Sequence, residues 1–209
     1  MTIVMIKETI EDDETRVERR KRRTRERIFQ TALKLFLEKG LDETTVAEIA
    51  EAADIGKGTF FTYFPTKESI FSEVSSHLVD AMEESLDAAG RAGESVEAKF
   101  LALFRPAIDW HASNPVLSRY MLAAMMRDTA SLQADRLSQH RLYERLGREL
   151  ADAQATGAIT TDVELPAAVT AIAGTYFGSL GAWHAAETLI PLAAVFSDSL
   201  HVVFRGLRP

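Results

Sequence analysis

The densest chemical patterning in this chain lies between Thr44 and Lys67. Lys57, Thr59, Phe61, Thr62 and Tyr63 fall on the face opposite Phe60 and Phe64 of a short helical pattern. An ammonium, two hydroxyls, a phenol and a flat apolar ring can meet phosphates and base edges in a DNA major groove. They make no catalytic set. The chain has no cysteine, so thiol nucleophiles, disulfides, iron–sulfur clusters and Cys-ligated zinc are excluded. It has no Gly-rich phosphate loop, no Gly-x-Ser-x-Gly and no His-Glu-x-x-His. The five histidines (77, 111, 140, 184 and 201) are scattered. His184-x-x-Glu187 reverses the order a di-iron bundle uses, and it occurs once. The sequence therefore predicts no enzyme, no cofactor and no metal site.

These residues need particular elements to position them. Ile28, Ala32, Leu35, Phe36 and Lys39 recur at helical spacing within a helix predicted over 18–39, and Gly40 follows where a C-terminus favours a left-handed residue. Thr45-Val-Ala-Glu48 is a capping box. It opens a short helix, 46–53, with Val46, Ile49, Ala50 and Ala53 inward. Gly56 supplies the flexible turn to a second short helix, 57–64. Pro65 ends that one, and Thr66 caps a helix running from Lys67 into the eighties. Two short helices joined by a tight turn after a longer helix form a helix-turn-helix.

Charge agrees with this. The 209-residue chain carries a net charge of −7. Yet residues 16–40 hold ten Lys and Arg against Glu18, Glu26 and Glu38, a local +7, whereas residues 71–209 hold 11 basic and 17 acidic side chains. A basic N-terminal block on an acidic body is the asymmetry of a nucleic-acid module joined to something else. Arg23 and Arg25 lie in that block and are candidate phosphate contacts.

The run from Thr44 to Glu68, with Lys57-Gly58-Thr59-Phe60-Phe61-Thr62-Tyr63-Phe64-Pro65-Thr66-Lys67-Glu68 at its end, resembles the DNA-binding domain of TetR-family transcriptional regulators. The likeness covers about residues 22–75; Gly56 and Phe61 stand where the family commonly has a hydroxyl residue and a Tyr. It implies an all-α homodimer of about nine helices, the first three binding DNA and the others forming a ligand-binding and dimerisation domain. It implies that Thr45, Tyr63 and Lys67 meet phosphates, that Lys57, Thr59 and Thr62 face bases or phosphates, and that Gly58 permits close approach. It implies a cytoplasmic sensor, usually a repressor, that leaves a palindromic double-stranded operator when a small molecule binds. The residues alone leave one alternative open, a small-molecule-binding or protein-interaction module whose helix-turn-helix does not touch DNA.

The domain plan is an acidic disordered tail at 1–15, a DNA-binding domain at 16–66 and a ligand and dimerisation domain at 67–209. Further helices are predicted at 94–113, 116–127, 130–156, 166–187 and 190–206, with Pro106 kinking or splitting the first. Residues 167–186 lack any Asp, Glu, Lys or Arg, long enough to suggest a membrane span, but Gly174, Gly178, Gly181 and His184 favour a buried helix. No secretory leader is read in the first residues, and no membrane partner is expected. The apolar C-terminal pair of helices is read as a dimer interface carrying Ile172, Tyr176, Leu180, Trp183, Leu192, Phe196 and Leu200. Phe104, Trp110, His111, Met121, Met125, Tyr143 and Phe177 are the candidate lining of an effector pocket.

Overall fold

The computed structural model describes residues 15–127 and 129–209, with side chains outside 126–135. Among the described residues it is all-helical, with nine α-helices and no strand. They are α1 (Arg16–Lys39), α2 (Val46–Ala52), α3 (Lys57–Tyr63), α4 (Ile70–Arg91), α5 (Val96–Ser113), α6 (Pro115–Arg127), α7 (Thr129–Ala155), α8 (Leu165–Ala185) and α9 (Leu192–Gly206). The acidic tail falls outside the described residues save Thr15, which caps α1 by accepting from the Glu18 amide while Glu18 accepts the Thr15 amide in return. The chain divides into two compact units, residues up to 77 with 116–135, and residues 78–115 with 136–209. The division falls within α4 rather than before it, and it places α6 in the first unit.

In the first unit, Ile28, Phe29, Ala32, Leu33 and Phe36 of α1 are buried with Ile49 and Ala50 of α2, Phe60 of α3 and Phe64. Two expectations about local structure are corrected here. Gly56 is extended, with φ −76°, and forms the N-cap of α3; the left-handed residue of the turn is Asp54, with φ 51°. A short acidic side chain tolerates that conformation. Furthermore, α4 begins at Ile70, not Lys67. Thr66 and Ser69 bind each other reciprocally, the Ser69 amide to Thr66 Oγ1 at 3.1 Å and the Thr66 amide to Ser69 Oγ at 3.3 Å. Ser69 Oγ also donates to the Thr66 carbonyl at 2.7 Å, so tight turns precede the α-helical register.

The second unit is built on α8 and α9, which run together, with α5 against α9. Its centre is aromatic: Phe100 faces Phe204 at 5.4 Å, and Phe104 lies 5.1 Å from both Tyr176 and Phe196. Such pairs add roughly 0.5–1.5 kcal/mol each to the burial of their area. Arg141 of α7 binds Asp80 and Glu83 of α4, and Arg145 binds Asp87 of α4. Pro106 neither splits nor ends α5. It lacks the N–H that the Ala102 carbonyl would accept, and Ser85 Oγ donates to that carbonyl instead, at 2.7 Å. By length and hydropathy α8 could cross a membrane, yet Ala168, Val169, Ile172, Ala173, Tyr176, Ser179, Leu180 and Trp183 are buried within its unit.

Candidate nucleic-acid interface

The site is assembled in the first unit, and it starts with the ends of two short helices. Thr45 caps α2: its Oγ1 accepts from the Glu48 amide, and Glu48 accepts from the Thr45 amide at 2.9 Å. Lys39 of α1 reaches the other oxygen of that carboxylate at 2.5 Å. The ammonium, with the Thr45 amide and hydroxyl, lowers the Glu48 pKa to about 2. The N-terminus of α2 is thereby locked to the C-terminus of α1.

Helix α3 presents the predicted face. Lys57, Gly58, Thr59, Phe61 and Thr62 are exposed, Tyr63 is half-buried, and Phe60 and Phe64 are buried. Phe61 is 54% exposed, a large apolar ring in water that makes an edge contact with Phe60. Gly58 has no atom of the chain near the place where a Cβ would sit. Thr62 is exposed, but its hydroxyl donates back to the Gly58 carbonyl at 3.0 Å, leaving its lone pairs and methyl outward.

Beside this face lies a cleft of about 1290 Å³. Arg16, Arg19, Arg20, Arg23 and Arg27 of α1 line one wall; Thr59 and Tyr63 of α3, with Asp54 and Ile55 of the turn, line the other. The basic stretch of α1 and the recognition face of α3 therefore bound one cationic groove. In the sequence these arginines read as a basic block. Their placement along one wall emerges only when α1 is continuous from Arg16.

Two predicted contacts are used elsewhere. Arg25 turns inward: its Nε pairs with Glu73 at 2.6 Å, its Nη1 donates to the Tyr63 carbonyl at 3.2 Å, and its guanidinium stacks over the Phe64 ring at 4.7 Å. It holds the C-terminus of α3 rather than facing the groove. Lys67 donates to the carbonyls of Leu41, Thr44 and Asp42 at 2.7, 2.9 and 3.2 Å. The helical period that puts Arg16, Arg19, Arg20, Arg23 and Arg27 on one stripe already places Arg25 on the opposite side of α1. Nothing in a Pro-Thr-Lys-Glu string shows where a flexible lysine ends.

The residues expected to line an effector pocket are divided between the two units. Phe104, Trp110 and His111 are buried in the second unit, where the His111 Nε2 and Tyr176 hydroxyl share a hydrogen bond of 2.8 Å. Burial, with His184 nearby, drives the His111 pKa down to about 3, so its ring is neutral at physiological pH. Phe177 is half-buried with its ring 5.1 Å from Tyr176. Met121 and Met125 belong to the other unit, and Tyr143 is 40% exposed on α7. The interface residues need a similar correction. Ile172, Tyr176, Leu180, Trp183, Leu192, Phe196 and Leu200 are at most 7% exposed and fill the unit's own core. What α8 leaves outside is mostly small: Pro166, Ala167, Thr170, Ala171, Gly174, Gly178, Ala182 and Ala185 are exposed. Among the described residues no three His, Asp or Glu side chains converge as metal ligands.

Comparison with known proteins fits this geometry. Residues 28–74 match the model of the family described as bacterial regulatory proteins, tetR family. The chain is 45% identical over 53 residues to the uncharacterized HTH-type transcriptional regulator YuxN of Bacillus subtilis, covering 25% of this chain and 18% of that protein. It is 42% identical over 72 residues to the HTH-type transcriptional regulator TcmR of Streptomyces glaucescens, covering 34% and 30%. The chain thus spans less than a third of the length of these curated relatives. A solved structure of Thermus thermophilus FadR, a TetR-family transcriptional repressor in complex with lauroyl-CoA, superposes with a TM-score of 0.74 at 28% identity, over 87% of this chain and 94% of that one. Residues 28–74 thus carry the DNA-binding module of bacterial regulatory proteins of the tetR family, and the helix order among the described residues resembles that of the Thermus repressor over most of both chains.

Proposed function

We propose that this protein is a transcriptional repressor that binds an inverted-repeat operator as a homodimer and leaves it when a small apolar or amphipathic molecule binds. The observation that carries the reading is the shared groove between α3 and the arginines of α1. Lys57, Thr59, Phe61, Thr62 and Tyr63 read the major groove, with Gly58 allowing the helix close to the bases. Thr45 at the start of α2 faces one phosphate. Arg16, Arg19, Arg20, Arg23 and Arg27 neutralise others, supplying the salt-dependent share of affinity. Two recognition helices related by a two-fold axis require a symmetric site.

The effector enters the second unit, whose aromatic core holds one neutral polar pair, His111 and Tyr176. That pairing suits a ligand with a long apolar body and one polar group. The lauroyl-CoA held by the Thermus relative makes acyl thioesters the first class to test. Ligand shifts the population toward a dimer that fits the operator poorly. Helices α4 and α7 each contribute residues to both units, and α4, which follows the helix-turn-helix, is a covalent route for the change. Such a protein works in the cytoplasm, where it meets DNA.

The test is selection of sheared genomic DNA by the purified chain at two salt concentrations, followed by sequencing. An enriched inverted repeat, released by an acyl-CoA or another amphipathic ligand, is the expected result. Weak binding without any enriched sequence would refute the operator reading.

A further inference from the structure

Lys67 stands where the family resemblance implies a phosphate contact, and its surroundings argue for another role. An ammonium has three N–H donors and no more. The Nζ of Lys67 has three carbonyl partners, Leu41, Asp42 and Thr44, at 2.7, 3.2 and 2.9 Å. All three lie in the segment that leaves α1 and enters α2. Every donor is thus spent inside the chain.

The segment it holds is the one that aims the helix-turn-helix. Thr44 is fully buried, and its hydroxyl donates to the Gly40 carbonyl at 2.7 Å. The next residue, Thr45, caps α2, and the Ile49 amide closes the first turn onto the Thr45 carbonyl at 3.1 Å. Helix α2 packs on α3, and α3 leads through Phe64 and Pro65 back to Lys67. One side chain therefore closes a ring that runs from Leu41 through both short helices. Carbonyls 41, 42 and 44 lie between α1 and α2, outside the bonding of either helix; the Leu41 carbonyl also accepts the Thr44 amide at 3.3 Å, so Lys67 adds to a turn that is already formed.

We propose that Lys67 is a positioning residue for DNA binding: it fixes the start of α2, and through it the presentation of α3, without touching DNA. The proposal rests on the DNA-binding reading above, but its local part is measurable without DNA. A point charge with three divergent donors fits three converging carbonyls, whereas a planar guanidinium does not. Lys67→Arg therefore separates the roles, because arginine serves a phosphate at least as well as lysine does.

Amide exchange of the free full-length chain is measured first, for wild type, Lys67→Met and Lys67→Arg. Both variants are expected to speed exchange at Glu48 and Ile49 by roughly tenfold or more, since those amides depend on the held segment. Binding to a random-sequence DNA duplex is then measured over a salt series. Both variants should lose affinity by roughly tenfold while the slope of log affinity against log salt stays at the wild-type value. If Lys67→Met does not fold, Lys67→Gln retains part of the donor set and takes its place. The proposal is overturned if Lys67→Arg matches wild type in exchange and affinity while Lys67→Met flattens the salt slope by about 0.9, the signature of one lost phosphate contact. It is overturned equally if exchange at Glu48 and Ile49 is unchanged in both variants. A wild type that binds no DNA, with exchange raised in both variants, would refute the DNA-binding reading and leave the strut in place.

Discussion

At the scale of single residues, charge in a sequence says little about where the charge is spent. Arg23 and Arg25 are two apart in one basic block, yet Arg23 lines the groove and Arg25 joins α1, α3 and α4. Arg25→Ala removes a charge-assisted bond to Glu73, a donor to the Tyr63 carbonyl and the cover over Phe64. With the guanidinium half in water, the loss should be about 1–2 kcal/mol in urea unfolding. The salt slope of DNA binding should stay as in wild type, whereas Arg23→Ala should flatten it without loss of stability. The reverse pattern would mean that the two arginines have been exchanged in role. His111 permits a pH prediction. Its folded pKa of about 3 lies below the ordinary value near 6.5, because burial disfavours the imidazolium. Between those values the unfolded chain binds a proton that the folded chain refuses. The stability from keeping His111 neutral is complete above about pH 6.5 and is lost as pH falls toward 3, by up to about 1.4 kcal/mol per pH unit. His111→Gln should flatten that part of the stability curve, as followed by denaturant titrations at several pH values. An unchanged acid limb would show that His111 accepts its proton in the folded state.

At the scale of elements, most boundaries were written in punctuation. Gly40, Thr45, Pro65, Pro115 and Gly157 mark ends that the structure keeps to within a residue or two. What local reading missed was satisfied from a distance. Pro106 reads as a break because it deletes one hydrogen bond inside α5, but Ser85 of α4 fills the vacancy at 2.7 Å. This makes an unusual coupling testable. Ser85→Ala leaves the Ala102 carbonyl without its partner and should cost about 1 kcal/mol. Pro106→Ala restores an N–H in register to meet that carbonyl. In the double variant the loss should largely vanish, a coupling of roughly 1 kcal/mol in a double-mutant cycle of urea unfolding. Strict additivity would show that the serine does nothing for the carbonyl. The start of α4 departs from its expected place for the same kind of reason, since Thr66 and Ser69 satisfy each other before the helix begins. The recognition face was legible because Phe60 and Phe64 fix which side of a seven-residue helix is inward. The fate of Lys67 was not, because three backbone carbonyls 23 to 26 positions away in sequence leave no pattern.

At the scale of the whole molecule, the question is what α8 does with its outer side. Its sequence is apolar around nearly the whole circumference, so no period tells which residues face in. Size does: Ile172, Tyr176, Leu180 and Trp183 fill the unit's core, and the exposed residues are Ala and Gly with Pro166 and Thr170. Gly174, Gly178 and Gly181 each have open space where a Cβ would be. A glycine within a helix costs about 1 kcal/mol relative to alanine. In the proposed homodimer, a second copy of α8 at close approach would use that open space. The outer side has no charge to solvate it, which fits burial against a two-fold mate. The full-length chain should therefore sediment at twice its monomer mass at micromolar concentration. Gly178→Leu should leave the protomer folded, since Gly178 is exposed and a Cβ there meets no neighbour within 4 Å, while weakening self-association by at least roughly tenfold. Its operator affinity should fall with the dimer, because each half-site then binds alone. A Gly178→Leu protein that remains as dimeric as wild type would remove α8 from the interface, and a monomeric wild type would remove the two-fold operator with it.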